Sequence, residues 1–157
     1  MKRIDAIREI LNTVTDELVV ATTGMIAREV FVAKDREANF YMCGSMGCAL
    51  SIGIGLAMNT DKKVIVIDGD GAALMSLGSL PVSKYLKLDN LKHYIIDNGT
   101  YASTGDQPTC SHAVDFAAIG HNVEVIHVEP GNEKGTPRIP YEPEEMTRRF
   151  LRAVAAN

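Results

Sequence analysis

The spacing of apolar residues predicts helices in several parts of the chain. From Ile4 to Val14 they recur at helical intervals, with charged residues between them, which indicates an amphipathic helix. Further helices are predicted over 25–33, about 48–59, about 72–87, near 115–119 and about 144–155. Pro81 predicts a kink within the helix over 72–87. The small residues of the helix over 48–59 predict close packing on a neighbour.

Short continuous apolar runs predict the strands. The clearest is KVIVID at 63–68, which is apolar on both faces, as is typical of a strand in the middle of a parallel sheet covered by helices. Further strands are predicted over 18–22, 39–42, 91–97 and 123–128, and an irregular loop over 98–112. Because strands alternate with helices, we expect an α/β fold with a mainly parallel sheet flanked by helices, in one domain over residues 1–157.

Charge and cysteine content narrow the function classes. Sixteen basic and twenty acidic residues give a net charge of −4 without a basic run, so nucleic acid is not an expected partner. Three cysteines, Cys43, Cys48 and Cys110, are an odd number and cannot form a complete disulfide framework. They include no C-x-x-C pair, which argues against a zinc or iron–sulfur site. The chain start lacks the apolar core of a signal peptide, and the apolar-rich stretch Met42–Met58 is too short to span a membrane. We therefore expect a reduced, cytoplasmic protein without membrane contact.

The strongest chemical signal follows the central strand, in IDGDGAA at 67–73. Gly69 and Gly71 let the backbone turn sharply and approach a ligand closely, and the free amides at the start of the next helix suit a phosphate group. Asp70 would repel that phosphate unless a cation lies between them, and Mg²⁺ or Ca²⁺ removes the conflict. A tight strand–helix turn without a ligand is the structural alternative for this motif alone.

A second polar loop ends the next predicted strand. LKHYIIDNGTY places Asn98 twenty-eight residues after Asp70, with one helix and one strand between the two loops. Because the carboxyl ends of parallel strands meet at one edge of the sheet, both loops should emerge side by side. Carboxylate, amide, main-chain and phosphate oxygens together would make an octahedral Mg²⁺ shell.

The two loops together resemble the cofactor motif of thiamine-diphosphate enzymes, GDG…NN, with Asp97 in place of the first Asn. The resemblance implies thiamine diphosphate and Mg²⁺ as cofactors, with the metal held by Asp70, Asn98 and the main-chain oxygen of Thr100. It also implies that the diphosphate lies on the amides after Gly71. The other cofactor contacts implied here are Thr23, Gly24, Gly69, Ala72 and Tyr101.

The segment Cys43-Gly44-Ser45-Met46-Gly47 resembles the loop beneath the middle of the cofactor in the same enzymes. The resemblance implies that Met46 wedges the two cofactor rings into a V shape and that the main-chain oxygen of Gly44 receives the aminopyrimidine's amino group, with Ser45 between them. Without the resemblance, Met46 would be interpreted as a core methionine.

The family also requires a glutamate that protonates the aminopyrimidine ring, and it lies on a separate pyrimidine-type domain. This chain is too short to hold a second such domain, and its glutamates lie away from the motif loops. Glu124 and Glu129, on the last strand, are not obvious substitutes. We therefore expect a partner, a pyrimidine-type (alpha) subunit that supplies the glutamate, and hence a hetero-oligomer with no certain catalytic residue on this chain.

The loop after the metal motif is similar to that of phosphonopyruvate and sulfopyruvate decarboxylases, which remove CO₂ from a pyruvate with a tetrahedral anion on carbon three. The similarity implies a small anionic 2-oxoacid as substrate and an aldehyde as product. Ser103, Thr104 and Gln107 are the candidate substrate contacts, because hydroxyl and amide groups can hold a sulfonate or phosphonate without a fixed charge. The alternative is a solvent loop rich in turn residues.

Two other functions stay open at this point. The β subunit of a 2-oxoacid:ferredoxin oxidoreductase also continues its metal loop into a T-G-x-Q stretch, as Thr104–Gln107 does, but normally carries four cluster cysteines. A non-catalytic protein that binds thiamine diphosphate is the third hypothesis. The Met46 loop argues against it, since bending the cofactor is useful only if the thiazolium reacts.

Overall fold

The computed structural model describes residues 1–132 and 134–156. Within them the strands are β1 (Leu18–Ala21), β2 (Asn39–Tyr41), β3 (Val64–Gly69), β4 (Leu91–Asp97), β5 (Thr100–Tyr101), β6 (Gln107–Pro108) and β7 (Val123–His127). The helices are α1 (Arg3–Asn12), α2 (Met25–Ala33), α3 (Ala49–Ala57), α4 (Asp70–Met75), α5 (Ser79–Leu86), α6 (Phe116–Ile119) and α7 (Pro143–Ala155). No helix of the described residues is long and apolar enough to cross a bilayer.

Five strands form one parallel sheet in the order β2-β1-β3-β4-β7. This confirms the predicted α/β fold with helices flanking a mainly parallel sheet. The chain first moves outward from β1 to β2 and then returns to place β3 on the other side of β1. In open α/β sheets, ligands bind at the carboxyl ends of the strands where the order switches in this way. The loops after β1 and β3 both leave the sheet at this point.

The helices bury both faces of the sheet. One core lies under α1 and α2 and includes Ile7, Val30 and Ile67. The other lies under α3, α5 and α6 and includes Leu50 and Phe116. Helix α7 covers the β2 edge and contributes to both cores, through Met146 on one face and Phe150 on the other. The sheet is thus rigidly held beneath the loops that leave its carboxyl edge.

Helix α3 lies very close to the sheet, as its small residues predict. A Cβ added at Gly53 would overlap the side chain of Val66 on β3. Glycine at this position therefore lets the helix backbone approach the strand, and the loop that precedes α3 is held against the carboxyl edge of the sheet.

The prediction of one helix over 72–87 with a kink at Pro81 is wrong in its details. The chain forms two helices, α4 and α5, which are separated by a turn over 76–78. Pro81 lies in the first turn of α5, where its missing N–H leaves no intrahelical hydrogen bond unmade. The break lies instead where Ser76 leaves helical geometry, with φ −129° and ψ 43°.

The loop over 98–112 is more regular than predicted. It contains the antiparallel pair β5–β6, in which Thr100 pairs with Pro108 and Tyr101 with Gln107, and a 3₁₀ turn over Ser111–Ala113. This short hairpin folds the segment back toward the loop that contains Asp70.

Candidate functional site

A cleft that is partly open to solvent lies at the switch point of the sheet. Its walls come from the loops after β1, β3 and β4, and from Met46 in the loop before α3. All the site residues predicted from the sequence line this cleft except Gly44, Ser45 and Gln107. Gly44 and Ser45 lie in the exposed loop that carries Met46, and Gln107 lies in exposed β6.

Asp70 is the first residue of α4 and is only 2 % exposed. The hydroxyl of Thr109 donates to its Oδ2 over 2.5 Å. The backbone N–H groups of Gly71 and Asn98 lie close enough to the carboxyl group to favour its ionised form. The contact with Asn98 joins the loop after β3 to the loop after β4, which is the juxtaposition expected from the sequence.

Burial raises the pKa of Asp70 above its ordinary value, and the nearby charge of Asp97 raises it further. The hydrogen bond from Thr109 and the nearby backbone N–H groups of Gly71 and Asn98 lower the pKa but do not cancel the effect of burial. The ionised carboxylate is therefore destabilised in the protein alone. A cation beside it would remove this cost, so the electrostatics of Asp70 fit a metal ligand.

The loop after β4 turns tightly around Asn98. Asp97 Oδ1 accepts the N–H of Gly99 over 2.9 Å, and Asn98 Oδ1 accepts that of Thr100 over 3.1 Å. Gly99 has a φ of +68°, which glycine adopts without strain. The described residues contain no cluster of three or more His, Cys, Asp or Glu that could hold a metal. The donors at this site are instead one carboxylate, one amide oxygen and main-chain oxygens, a mixed oxygen set that suits Mg²⁺.

Close backbone packing explains the glycines of the motif. A Cβ on Gly71 would lie 2.6 Å from the Tyr101 ring, and a Cβ on Gly69 would lie 3.2 Å from Ile26 Cδ1. A side chain at Gly71 would therefore displace Tyr101 from the wall of the cleft. The cradle at the start of α4 depends on the absence of both side chains.

Thr22 is a site residue that the sequence analysis missed. It follows β1 directly, is 2 % exposed and lines the cleft. Its hydroxyl has no hydrogen-bond partner among the described residues. Since a buried hydroxyl without a partner costs roughly 1–3 kcal/mol, a polar ligand group at this wall would stabilise the site. The adjacent Thr23, the residue predicted from the sequence, also lines the cleft.

The predicted substrate residues form a small internally bonded loop. Thr104 Oγ1 lies 2.9 Å from Gln107 Oε1 and 3.1 Å from the Tyr101 carbonyl oxygen, and its single proton is shared between these two acceptors. Ser103 Oγ lies 3.6 Å from the Cβ position of Gly24, so it faces the loop after β1 across the cleft. Gln107 therefore supports Thr104 from outside the cleft, while Ser103 and Thr104 form part of its wall.

A buried ion pair between Arg3 and Glu29 lies beside the cleft, and it was not predicted from the sequence. Arg3, at the start of α1, is 8 % exposed and lines the cleft. Its Nε and Nη2 donate to the two carboxylate oxygens of Glu29, each over 2.8 Å. Arg3 Nη2 also donates to Asn132 Oδ1 over 3.1 Å, and Asn132 donates to the carbonyl of Ala102 over 2.8 Å. The pair thus connects α1 and α2 to the loop of Ser103 and Thr104.

Comparison with known proteins gives the family. The family model described as "Thiamine pyrophosphate enzyme, C-terminal TPP binding domain" matches residues 20–132. The sulfopyruvate decarboxylase subunit beta of Methanocaldococcus jannaschii is 53 % identical over 109 residues, which is 69 % of this chain and 58 % of that protein. The subunit of the same name from Methanothermobacter thermautotrophicus is 36 % identical over 98 % of this chain and 96 % of its own length.

Longer relatives share the same region. The phosphonopyruvate decarboxylase of Streptomyces viridochromogenes is 35 % identical over 94 % of this chain, but this covers only 45 % of that enzyme. The solved structure of a Mycobacterium smegmatis protein, assigned as a thiamin diphosphate-dependent enzyme, has the same fold, with a TM-score of 0.63 at 16 % identity over 85 % of this chain and 32 % of that one. The chain therefore spans about half the length of the M. jannaschii and Streptomyces relatives. The family match, together with the identity along nearly a whole relative, shows that this chain belongs to the thiamine pyrophosphate enzymes, within their C-terminal TPP-binding domain.

Proposed function

We propose that this chain is the cofactor-binding subunit of a thiamine-diphosphate-dependent decarboxylase. Its substrate is an anionic 3-substituted pyruvate, either sulfopyruvate or phosphonopyruvate, and its products are CO₂ and an aldehyde. The observation that carries the proposal is that buried Asp70 and Asn98, at the carboxyl ends of the paired strands β3 and β4, line one cleft. The relatives named sulfopyruvate decarboxylase subunit beta and phosphonopyruvate decarboxylase supply the substrate class.

The residues of the cleft suit the cofactor and its metal. Asp70, Asn98 and the main-chain oxygen of Thr100 would hold Mg²⁺, whose charge would offset the destabilised Asp70 carboxylate. Thr22 and the amides after Gly71 would donate to the diphosphate. Met46, 39 % exposed at the mouth of the cleft, would support the middle of the cofactor. When bound, thiamine diphosphate supplies an electron sink for the pair of electrons left behind by CO₂.

The loop over 101–104 is placed to recognise the substrate's anion. Ser103 and Thr104 present hydroxyl groups at one wall of the cleft, and Gln107 fixes Thr104 through a hydrogen bond of 2.9 Å. Neutral donors of this kind can hold a tetrahedral anion with charge-assisted hydrogen bonds.

Changing Ser103→Ala together with Gln107→Ala should raise the KM for the anionic substrate by about tenfold, since a hydrogen bond to a charged group contributes about 1.5–3 kcal/mol. We expect kcat to change little, because the lost contacts are made equally in the ground and transition states. Steady-state kinetics of the reconstituted enzyme would measure both constants, with Thr147→Ala, an exposed hydroxyl on α7, as the control. An unchanged KM would favour the alternative of a solvent loop.

A partner subunit is the remaining part of the proposal. No glutamate lines the cleft in the described part of the chain, although the family requires one beside the aminopyrimidine ring. The single-chain phosphonopyruvate decarboxylase is more than twice as long as the region that this chain matches. We therefore assign the missing glutamate to a pyrimidine-type (alpha) subunit, with the cofactor between the two subunits of a hetero-oligomer.

An uncharged surface adjoining the cleft supports the same proposal. Residues 43–60 and 71–83 contain no charged side chain, in a protein with 23 % charged residues. The helices that they form, α3 and α5, pack beside each other, and Gly47 lies against Met75. Met75 is 62 % exposed and Val82 is 48 % exposed. Absence of charge and exposed apolar side chains are typical of the centre of a protein interface. We name the exposed residues of 43–60 and 71–83 the uncharged face and place the partner on it.

The isolated chain should show no measurable decarboxylation, and adding the pyrimidine-type subunit should restore turnover. Val82→Glu should weaken this assembly at least about tenfold, because it buries an unpaired charge in the interface. Val32→Glu is the matched control, since Val32 is also 48 % exposed but lies on α2, outside the uncharged face. Analytical ultracentrifugation and activity titration would measure both effects.

Robust turnover by the isolated chain would contradict the need for a partner. Equal effects of the two variants would remove the uncharged face as its docking site. Cofactor binding without turnover in the assembled complex would favour the non-catalytic alternative, and an iron-containing complex would favour the oxidoreductase.

A further inference from the structure

Two buried carboxyl groups lie at the carboxyl edge of the sheet. Asp70 and Asp97 are 2 % and 8 % exposed, and they follow neighbouring strands, β3 and β4. Like charges on neighbouring strands repel each other, and hydrogen bonds to the carboxylates offset that repulsion. Two buried hydroxyl groups lie beside them.

Those hydroxyls belong to Thr109 and Ser111, each 6 % exposed. Thr109 Oγ1 donates to Asp70 Oδ2 over 2.5 Å, and Ser111 Oγ donates to Asp97 Oδ1 over 3.0 Å. The two hydroxyl oxygens are 3.2 Å apart. Each hydroxyl has one proton, so when both carboxylates are ionised both protons are committed to them. The Thr109 proton is therefore directed at Asp70 rather than at Ser111.

The backbone fixes Thr109 to the other half of the site. Its N–H donates to the carbonyl of Gly99 over 2.8 Å, directly after the β5–β6 pair. Gly99 lies between Asn98 and Thr100, the other two proposed metal ligands. A single residue thus contacts the Asp70 carboxylate with its side chain and the metal loop with its backbone. It spans the two loops that must keep a constant separation to hold one ion.

The Thr109 contact also fixes the plane of the Asp70 carboxylate. The hydroxyl occupies Oδ2, and the backbone N–H groups of Gly71 and Asn98 are further polar neighbours of the carboxyl group. A carboxylate held in one plane by hydrogen bonds is what an oxygen ligand to Mg²⁺ requires. Ser111 acts on the metal site less directly. Its hydroxyl donates to Asp97, which precedes the proposed metal ligand Asn98.

We propose that Thr109 is a positioning residue for the metal site, which its hydroxyl prepares by fixing the Asp70 carboxylate, and that Ser111 supports it through Asp97. The proposal rests on the proposed function, because the metal is the one that thiamine diphosphate requires. Partners of metal ligands typically contribute roughly 10–100-fold to metal affinity. The same range is expected for Thr109.

Two binding experiments on the full chain test the proposal. Calorimetry measures the Kd of thiamine diphosphate in the presence of Mg²⁺, and electron paramagnetic resonance measures the Kd of Mn²⁺ added alone. Thr109→Val, which keeps the shape of the side chain but removes the hydroxyl, should raise both Kd values by about tenfold or more. Thr109→Ser keeps the hydroxyl and should bind within threefold of the wild type. In the reconstituted enzyme, excess Mg²⁺ should restore the turnover of Thr109→Val, which a fault in packing would not allow.

Ser83→Ala is the matched control. Ser83 is 2 % exposed and bonds the Leu80 carbonyl and the His121 N–H, away from the cleft. Its loss should lower the Tm without changing either Kd. If Thr109→Val fails to fold, Ser111→Ala should raise the same two constants to a smaller extent, and an unchanged Kd for that variant would overturn the proposal.

The outcomes separate the two proposals. Wild-type binding with an unchanged Kd for Thr109→Val overturns the role of Thr109 and leaves the proposed function intact. Binding by the wild type with the expected loss in Thr109→Val, but no decarboxylation by the complex, supports the role of Thr109 and overturns the proposed reaction. If the wild-type chain assembled with its pyrimidine-type subunit binds neither Mn²⁺ nor thiamine diphosphate, both proposals fall.

Discussion

Asp70→Asn should abolish Mg²⁺-dependent binding of thiamine diphosphate and, with it, decarboxylation by the assembled enzyme. The variant keeps the size of the side chain but removes the charge opposite the metal. Because Asp70 is the only carboxylate in the proposed donor set, the loss should exceed the roughly 10–100-fold that partners of metal ligands contribute. Titration calorimetry on the chain and steady-state kinetics on the complex would measure it.

Stability should change in the opposite direction from binding. Burial raises the pKa of Asp70, which means that the ionised group is less stable in the folded protein than in water. Removing that charge should leave the Tm unchanged or raise it, as is common where a binding site holds an uncompensated group. A fall in Tm equal to that of a core variant would indicate that Asp70 serves the fold instead.

Asp89→Asn is the matched control for this experiment. Its carboxylate is fully exposed at the far end of α5, beyond the cleft. It removes the same charge from the protein, so it separates the local effect of Asp70 from the change in net charge. We expect unchanged binding in this variant. Retained cofactor binding by Asp70→Asn would remove Asp70 from the metal site and leave the cleft without its proposed ligand.

The sequence was sufficient to predict the parts of the site that local patterns determine. The apolar run before Gly69 predicts a central strand, and the one before Asn98 predicts its neighbour, so the parallel arrangement alone places Asp70 beside Asn98. The small residues of the helix over 48–59 predict the close approach that Gly53 makes possible. In each case the signal lies within one element and the loop that follows it.

Contacts between distant residues could not be predicted in the same way. Thr109 bonds Asp70 across 39 positions, and Arg3 bonds Glu29 across 26. Nothing in the neighbouring sequence distinguishes a threonine in a polar loop or an arginine on a charged helix. Their hydrogen-bond partners are determined only when the helices and strands pack together. Pro81 shows that prediction can also fail within a single helix. Proline is tolerated in the first turn of a helix, and the helix predicted over 72–87 is interrupted before Pro81, at Ser76.

Glu29→Ala should be the most destabilising single substitution outside the apolar core. It leaves the Arg3 guanidinium buried without its carboxylate, in a pair whose members are 8 % and 2 % exposed. Breaking a buried ion pair by removing one partner costs about 3–5 kcal/mol. Urea denaturation should show the loss as a lower midpoint at an unchanged slope. Glu9→Ala, an exposed glutamate on α1, is the control and should change stability by less than about 0.5 kcal/mol.

The double variant Arg3→Met, Glu29→Leu distinguishes the cost of an unpaired charge from the value of the pair. Apolar side chains of similar volume often replace a buried pair with little or no loss of stability. We therefore expect the double variant to be more stable than Glu29→Ala. Its cofactor affinity should nonetheless fall, because Arg3→Met removes the Arg3 contact with Asn132, which anchors the Ala102 carbonyl. Equal destabilisation by the single and double variants would mean that the pair itself stabilises the fold. Unchanged affinity in the double variant would mean that the loop of Ser103 and Thr104 is held without Arg3.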